Sequence, residues 1–237
     1  MYRGRFAPTP SGPLHLGSLV AAVGSYLDAK AHQGEWLVRI EDVDKPRAIP
    51  GAADTILTQL ESHGLEWDGS VLYQSQRDST YQSQLDQLQK AELLYQCDCS
   101  RRAIRARNDH YDGYCRNRQP RTPPYALRFV NNAPITEFND RAQGLLSDDS
   151  SSVSEDFVLK RRDGLYAYQL AVVVDDIEQG VTDIVRGSDL ITSTSPMTMG
   201  SSLIDSIESE FLPISVLFTL ASPLLPDITT SLSCVMA

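Results

Sequence analysis

The fold is decided by one stretch of sequence, Arg5-Phe6-Ala7-Pro8-Thr9-Pro10-Ser11-Gly12-Pro13-Leu14-His15-Leu16-Gly17-Ser18. Residues from Tyr2 to Ala7 alternate in polarity as in a short strand. The prolines and the glycine that follow break this strand, and apolar residues then recur at helical spacing from Leu16 to Leu27. A strand that ends in such a turn and opens a helix favours anion binding, because backbone N–H groups and the positive end of the helix dipole converge there. The stretch therefore predicts a strand, a phosphate-binding loop and a helix.

The elements that follow continue the alternation of strand and helix. A second apolar strand over residues 35–40 runs into the acidic loop Glu41-Asp42-Val43-Asp44, and together with the first strand and helix it forms a βαβ unit. Further patterns predict a helix near residues 56–63, a strand at 71–73 and a surface helix over 80–95. We expect an α/β fold with a parallel sheet.

The rest of the chain is expected to return to this sheet after an interruption. Residues 116–156 are polar, rich in proline and without a regular pattern, with an acidic serine run at 148–154, and they are typical of an inserted subdomain. Order resumes with a strand at 157–159. This strand is the first arm of a predicted hairpin, which turns at Asp163-Gly164 and has a buried second arm at 170–174; a last short strand lies at 184–187.

Composition limits the class of protein. The 237 residues, 41% of them hydrophobic, can build one large domain or a domain with an insertion. The net charge of -10 and the pI near 4.8 disfavour general binding to phosphate backbones, so any contact with nucleic acid must be local. Because the sequence has neither a secretion leader nor an uncharged span of membrane length, we expect a cytoplasmic protein.

Three of the four cysteines indicate a metal site. Cys97, Cys99 and Cys115 cluster, whereas Cys234 stands apart, and in a chain without an export signal such a cluster favours metal over disulfides. From spacing alone, His110 is as good a fourth ligand as Tyr111, since imidazole is the commoner partner. The alternative is three buried cysteines without a metal, which the polar surroundings disfavour.

Seven arginines around this cluster form the one basic patch that could offset the net acidity. They could meet RNA phosphates or form a solvated helix face, and both interpretations stay open. The seven are Arg101, Arg102, Arg105, Arg107, Arg116, Arg118 and Arg121.

Alone, the tetrapeptide at 15–18 would indicate only a helix start. The whole opening stretch, however, resembles the signature of glutamyl-type class I aminoacyl-tRNA synthetases, and three further blocks agree in order and spacing. These are Arg39-Ile40-Glu41-Asp42-Val43-Asp44, Tyr168 to Asp176, and Gly180 to Gly187. The resemblance covers residues 2–191. The cysteine cluster and the short chain most resemble the branch of the family that lacks the anticodon-binding domain and modifies queuosine in tRNA(Asp).

The resemblance implies a Rossmann-type class I aminoacyl-tRNA synthetase catalytic domain with an inserted zinc-binding subdomain. Residues 1–95 would form its first half, 96–156 the zinc-binding insertion of acceptor type, and 157–190 the second half. Residues 191–237 would be an atypical tail that matches nothing in the family. We expect a monomer that makes no contact with membranes.

The resemblance also implies the roles of individual residues. His15, Gly17 and Ser18 would bind ATP, with His15 and Ser18 in catalytic roles. Glutamate would be bound through its side-chain carboxylate by Arg5, Tyr168 and Arg186, through its α-ammonium by Glu41, and by the loop residues Phe6, Ala7, Pro8 and Thr9. Without the resemblance, Arg5 and Glu41 could form an ordinary surface ion pair and Tyr168 could belong to the core.

Two metal ions are implied. One structural zinc per chain would be held by Cys97, Cys99, Tyr111 and Cys115, so the resemblance favours Tyr111 over His110. Magnesium would accompany ATP.

The implied reaction is attack of the glutamate α-carboxylate on the α-phosphate of ATP. It gives glutamyl-adenylate and pyrophosphate without tRNA, and glutamate then passes to queuosine in the anticodon loop of tRNA(Asp). Because the substrate is itself the nucleophile, the protein needs positioning and charge stabilisation rather than a nucleophilic side chain. The expected partners are ATP, L-glutamate and tRNA(Asp) bearing queuosine.

The sequence departs from the family in one respect. Class I synthetases carry a second phosphate-binding loop of the K-M-S-K-S type, but this chain has no lysine after Lys160, and residues 191–237 are of the kind that a shifted reading frame could generate. Loss of a cation on the pyrophosphate is typically worth about 10²- to 10³-fold in rate. Three alternatives follow: a fragment of a glutamyl-tRNA synthetase, a non-catalytic remnant that binds glutamate, ATP or tRNA, or another nucleotidyltransferase.

Overall fold

The computed structural model describes residues 1–108, 110–119, 123–134, 136–147, 153–187 and 217–220. The acidic serine run predicted at 148–154 and the tail predicted at 191–237 therefore lie mostly outside the described residues. Within the described part, every helix is too short or too polar to cross a bilayer.

A parallel sheet forms the first half of the fold, as the βαβ pattern predicts. Strand β1 (Arg3–Phe6) pairs with β2 (Glu35–Ile40), and β2 pairs with β3 (Leu72–Tyr73), both in parallel. The crossovers are α1 (Leu16–Ala31) and α2 (Ala52–Ser62). A 3₁₀-helix, Gln74–Gln76, follows β3.

The second half of the chain returns to the free edge of β1. Strand β9 (Ile184–Gly187) begins beside β1 through a parallel bridge between Gly4 and Asp183, and β10 (Leu217–Leu220) pairs with β9 in parallel. Because Gly4 also pairs with Trp36 of β2, β9 and β2 lie on opposite sides of β1. The described strands thus follow the order β3, β2, β1, β9, β10, that of a Rossmann fold.

Between the halves lies an antiparallel layer. Strand β4 (Leu94–Cys97) pairs with β5 (Ala126–Phe129), and β5 pairs with β8 (Val158–Lys160). The short helix α4 (Arg101–Arg105) follows β4, and β6 (Glu137–Asp140) forms a hairpin with β7 (Gly144–Ser147). The described part of residues 116–156 is therefore less irregular than predicted. Its strands have only four residues each, too few for an alternating pattern to be recognised. The domain boundaries at 95 and 156 stay a prediction.

Two large clusters of buried residues hold the sheet and its helices together in the described part of the chain. One lies between the parallel sheet and its helices around Ala22, Trp36, Ile56 and Leu60, where the indole nitrogen of Trp36 donates to Ser25 at 2.8 Å. Leu16 at the start of α1 is 74% exposed, so the apolar stripe predicted for this helix is only partly buried.

The second core lies between α3 (Asp78–Lys90) and α5 (Tyr168–Glu178). The surface helix predicted over residues 80–95 is α3, although it ends at Lys90 and β4 begins at Leu94. Its inner face is fully buried, with Tyr81, Leu85 and Leu88 at 1% exposure or less.

The second arm predicted for the hairpin, at 170–174, is wrong, because this segment belongs to helix α5; the turn at Asp163-Gly164 does form, and Lys160 pairs with Tyr166 across it in an antiparallel bridge. Residues 170–176 are all buried, so no polar face reveals a helical period, and the valine run at 172–174 mimics a buried strand. Packing overrides the strand preference of these branched side chains. The helix ends at Glu178, and Gly180, with φ of 64°, turns the chain back toward β9.

Candidate active site

The predicted phosphate loop lies at the N-terminus of α1. His15 caps the helix, since its Nδ1 accepts from the backbone nitrogen of Ser18 at 3.2 Å, and the Ser18 hydroxyl lies 3.0 Å from Nε2 of the same ring. A β-carbon on Gly17 would lie 3.1 Å from Cε1 of His15, so glycine allows the imidazole to rest on this turn. His15 and Gly17 are exposed, and the loop is open to a ligand.

Two predicted loops are joined at the carboxyl end of the parallel sheet. The backbone nitrogen of Glu41, after β2, donates to the carbonyl oxygen of Pro8, after β1, at 3.0 Å. A second bond joins Ile49 to Pro10 at 2.8 Å. This edge is where open α/β folds bind their ligands.

The predicted glutamate residues gather at this edge. Arg5 in β1, Glu41 after β2 and Arg186 in β9 are buried, with 6%, 4% and 5% exposure, whereas Tyr168 at the start of α5 is 44% exposed. Arg5 and Glu41 therefore do not form a surface pair, and Tyr168 does not belong to the core. A partly exposed phenol beside buried charges is the arrangement that a small polar ligand needs.

Two charged residues of this site were missed in the sequence analysis. Arg39 is fully buried and bonds to Asp176 at 2.7 Å and to Glu41 at 3.3 Å, and Asp176 also accepts from Arg5 at 3.2 and 3.3 Å. The sequence holds two signals for them: an arginine within an apolar strand and an aspartate after a run of valines. Because buried charges have to be paired, these two residues indicate a buried ion pair.

The pKa values in the pocket reflect its burial and its charges. Burial raises the pKa of Glu41 to about 7, although Arg39 and Arg5 oppose the shift. Burial, and then repulsion by Arg5, lowers the pKa of Arg186 to about 10. Burial and the charge of Glu41 raise the pKa of Tyr168. At neutral pH the arginines are charged, Tyr168 is a neutral donor, and Glu41 is close to its midpoint.

The loop residues Phe6, Ala7, Pro8 and Thr9 have unequal surroundings. The Phe6 side chain packs in the core, with its ring 6.3 Å from that of Trp36, so it could meet a ligand only through its backbone. Ala7 and Pro8 are half-buried, and Thr9 is exposed.

A separate site lies at the end of β4. The Sγ atoms of Cys97, Cys99 and Cys115 all lie within 4.8 Å of one another, with 3.5 Å between those of Cys99 and Cys115. Tetrahedral zinc with bonds of about 2.3 Å needs sulfur atoms about 3.8 Å apart, so the three thiols fit this ion. The hydroxyl oxygen of Tyr111, a buried side chain, accepts from the backbone nitrogen of Cys115 at 2.9 Å. Among the described residues, His110 contributes no atom to this thiol cluster.

Several arginines of the predicted basic patch are used inside the protein. Arg107 lies 3.4 Å from Sγ of Cys99, Arg118 lies 3.4 Å from Sγ of Cys115, and Arg116 pairs with Asp156. The side chains of Arg101, Arg102 and Arg105 on α4 are exposed, and Arg121 lies outside the described residues. Arg107 is also exposed, so among the described residues the exposed part of the patch is α4 together with Arg107.

Comparison with known proteins defines the class to which this fold and site belong. Residues 1–218 match the family of class I tRNA synthetases for glutamate and glutamine, over its catalytic domain. The chain belongs to this family of ligases, which confirms the resemblance and the Rossmann-type fold.

Particular relatives are more similar. The chain is 88% identical over 192 residues to the Glutamyl-Q tRNA(Asp) synthetase of Idiomarina loihiensis, a match covering 81% of this chain and 68% of that protein. It is 55% identical over 193 residues to the protein of the same name from Photobacterium profundum, again over 81% of this chain and over 62% of the relative.

Among solved structures, the glutamate-tRNA synthetase of Elizabethkingia anophelis has a TM-score of 0.79 and 28% identity, and the match covers 95% of this chain and 51% of that one. The chain thus spans about two thirds of the curated relatives and half of that synthetase. Identity is much higher to the Glutamyl-Q proteins than to the glutamate-tRNA synthetase.

Proposed function

We propose that this chain activates glutamate with ATP, without tRNA, and transfers it to queuosine of tRNA(Asp). The observation that carries the proposal is the buried pocket of Arg5, Glu41 and Arg186 at the same sheet edge as the His15 loop. The printed names of the relatives support the tRNA acceptor. Their higher identity disfavours the alternative of a glutamyl-tRNA synthetase fragment.

Glutamate recognition follows from the charges. Arg5 and Arg186 supply two guanidinium groups, and Tyr168 supplies a neutral hydroxyl, for the side-chain carboxylate. Glu41, once ionised, accepts the α-ammonium. Glutamine would present a neutral amide where Arg5 and Arg186 would otherwise meet the side-chain carboxylate of the ligand, so the pocket should select glutamate.

The phosphate loop serves the chemical step. The glutamate α-carboxylate attacks the α-phosphorus of ATP, an oxygen–phosphorus bond forms, and the bond to the leaving pyrophosphate breaks. The start of α1 and the His15 and Ser18 side chains would stabilise charge on the phosphates, while Gly17 lets the nucleotide approach the backbone. Bound magnesium would neutralise phosphate charge.

The cysteine cluster would hold one structural zinc through Cys97, Cys99, Cys115 and the Tyr111 oxygen. Zinc in a closed site of this kind supplies folding energy rather than chemistry. It would join the end of β4 to the loop over residues 111–115, next to the exposed arginines of α4.

Exchange of pyrophosphate into ATP tests the activation step. A folded, zinc-loaded sample should catalyse exchange with glutamate but not with glutamine, and it should do so without tRNA. With no lysine after Lys160, we expect a rate about 10²- to 10³-fold below that of a relative with a K-M-S-K-S-type loop. Glutamate-dependent exchange that requires tRNA would contradict the proposal. Transfer is tested with tRNA(Asp) carrying or lacking queuosine, and only the former should be glutamylated.

The missing lysine loop favours a second candidate, a chain that binds glutamate and ATP without turnover. Calorimetry distinguishes the two. Binding of both ligands with no exchange would select this non-catalytic candidate, whereas exchange above background would exclude it.

A further inference from the structure

Helix α5 carries two adjacent buried carboxylates, Asp175 and Asp176, whose side chains have different hydrogen-bond partners. Asp175 accepts from the side-chain amide of Gln74 at 2.8 Å, from Nε of Arg77 at 2.7 Å and from the hydroxyl of Tyr81 at 2.8 Å. All three donors belong to α3 or to the turn before it. Asp175 therefore fastens α3 to α5.

Asp176 instead faces the glutamate pocket. Its carboxylate accepts from Nε and Nη2 of Arg5 at 3.2 and 3.3 Å and from Nη1 of Arg39 at 2.7 Å. Its backbone oxygen accepts from Val181 at 2.9 Å, and its side chain is 3% exposed. Asp176 is thus held through both its side chain and its backbone, and its carboxylate sets the plane of the Arg5 guanidinium.

Arg39 extends the contact to the other end of the pocket. It bonds to Glu41 through Nη2 at 3.3 Å, and its Nη1 also donates to the Gln179 side chain at 2.9 Å. Glu41, Arg39, Asp176 and Arg5 therefore form a buried chain of alternating sign, built from the first two strands of the sheet and α5.

The hydrogen-bonding capacity of the Arg5 guanidinium indicates what this row of four charged residues does. Arginine has five N–H donors, and Asp176 takes two of those on Arg5, which leaves three for a ligand. Burial by itself would raise the pKa of Asp176, but Arg39 and Arg5 outweigh it, and the pKa lies below its ordinary value. The carboxylate therefore stays charged and separates two arginines that would otherwise repel each other.

We propose that Asp176, together with Arg39, is a positioning residue that aims Arg5 and Glu41 at the two ends of glutamate, whereas Asp175 has a structural role only. The ligand in this inference rests on the proposed function. The arrangement of the four charges does not.

Two isosteric variants of the full chain test the roles. D176N and D175N each replace a buried carboxylate on the same helix, so both should lower the free energy of unfolding. Only D176N should lower the preference for glutamate over glutamine, measured by calorimetry, by about 10- to 100-fold, because it releases Arg5. D175N should keep the wild-type preference within about twofold.

D176E is a second pocket variant in case D176N does not fold. It retains the charge but displaces the carboxylate by one methylene, and we expect it to fold and to lose preference for glutamate by about tenfold.

A ligand-free measurement separates this inference from the proposed function. In ¹⁵N-arginine NMR, the Nε–H signal of Arg5, assigned with R5K, should exchange slowly with solvent in the wild type and D175N, and faster in D176N. Equal exchange in all three, or equal loss of preference in D175N and D176N, would overturn the positioning role. Slow exchange in a wild-type chain that binds no glutamate would contradict the proposed function and the ligand, while the charge arrangement would stand.

Discussion

The Tyr111 hydroxyl oxygen lies 2.9 Å from the Cys115 backbone nitrogen, and this contact places a phenol beside the third thiol of the cysteine cluster. The ring of Tyr111 is also covered by Arg128, whose guanidinium carbon lies 3.7 Å from the ring centroid. Burial raises the pKa of the Tyr111 hydroxyl, whereas a cation over the ring favours the charged phenol that a metal would bind. These contacts favour Tyr111, rather than His110, as the fourth ligand of the proposed zinc.

Loss of the phenol should weaken zinc binding. We expect Y111F to lower zinc affinity by about 10- to 100-fold, because three thiolates would remain with no fourth protein ligand. Competition with a chromophoric chelator measures the affinity. H110A is the matched control and should change it little. A larger loss in H110A than in Y111F would reverse the assignment.

Glutamate binding should depend on the charge of Glu41. Its pKa is about 7 in the free chain, and the α-ammonium requires the ionised form, so affinity should fall about tenfold per pH unit below that value and level off above it. Calorimetry between about pH 5.5 and about pH 8.5 measures this, and below about pH 7 binding should release a proton.

The variant E41Q removes the titrating group, so its weaker binding should show a flatter pH profile. Stability gives an independent check. A carboxyl whose folded pKa is raised stabilises the fold below its unfolded pKa of about 4.5, and that contribution is lost as the pH rises through about 7. E41Q should therefore gain stability relative to the wild type over this interval. A wild-type profile that is already flat would refute the role of Glu41.

The first turn of α1 should tolerate no side chain at position 17 without loss of nucleotide binding. In G17A the new β-carbon would lie 3.1 Å from the His15 ring and would displace it, so ATP affinity should drop roughly tenfold. Alanine favours a helix by up to about 1 kcal/mol over glycine, so the free energy of unfolding should hold or rise.

Calorimetry with ATP and denaturant unfolding together separate the two effects of G17A. H15A serves as the comparison and should lose a similar amount of ATP affinity. Unchanged ATP binding in both variants would show that this loop is not the nucleotide site.

Helix α4 should carry the local contact with RNA. The double variant R101E/R105E reverses two exposed charges, and it should weaken tRNA(Asp) binding roughly tenfold and make it less dependent on salt. K90E, an exposed charge reversal at the end of α3, is the control. Filter binding over a salt series would decide, and equal effects of the two charge reversals would favour a solvated face over an RNA contact.

The sequence predicts the parallel half of the fold well, since each element there has a strong local signal. The break after Phe6, the helix from Leu16 and the apolar strand ending at Ile40 all lie where their patterns indicate. The family motifs also indicate the residues that gather at the pocket. Motifs of this kind mark where a chain meets a ligand, and the sheet edge then brings them together.

What the sequence misses depends on packing. Helix α5 is buried on all sides along 170–176, so the periodicity that separates a helix from a strand is absent. The roles of Arg39 and Asp176 require knowing that β2 and α5 meet, a contact between residues 137 positions apart. The predicted basic patch includes arginines that are paired within the protein. Arg116 and Arg118 are held by acidic residues that only the folded chain brings close to them.

The hairpin of β6 and β7 fastens the antiparallel layer to the nucleotide fold. Arg141, in its turn, bonds to Asp28 on α1 at 3.0 Å and to Asp183 before β9 at 3.3 Å, and the neighbouring Asp140 acts electrostatically on Arg186. The insertion is thus attached to the parallel sheet through the β6–β7 turn as well as through its chain connections. The strand that this turn contacts is β9, which carries Arg186. A load on helix α4, the proposed RNA contact, would reach the proposed glutamate pocket through this hairpin. R141A should uncouple the two, which would be visible as faster amide hydrogen exchange in β9.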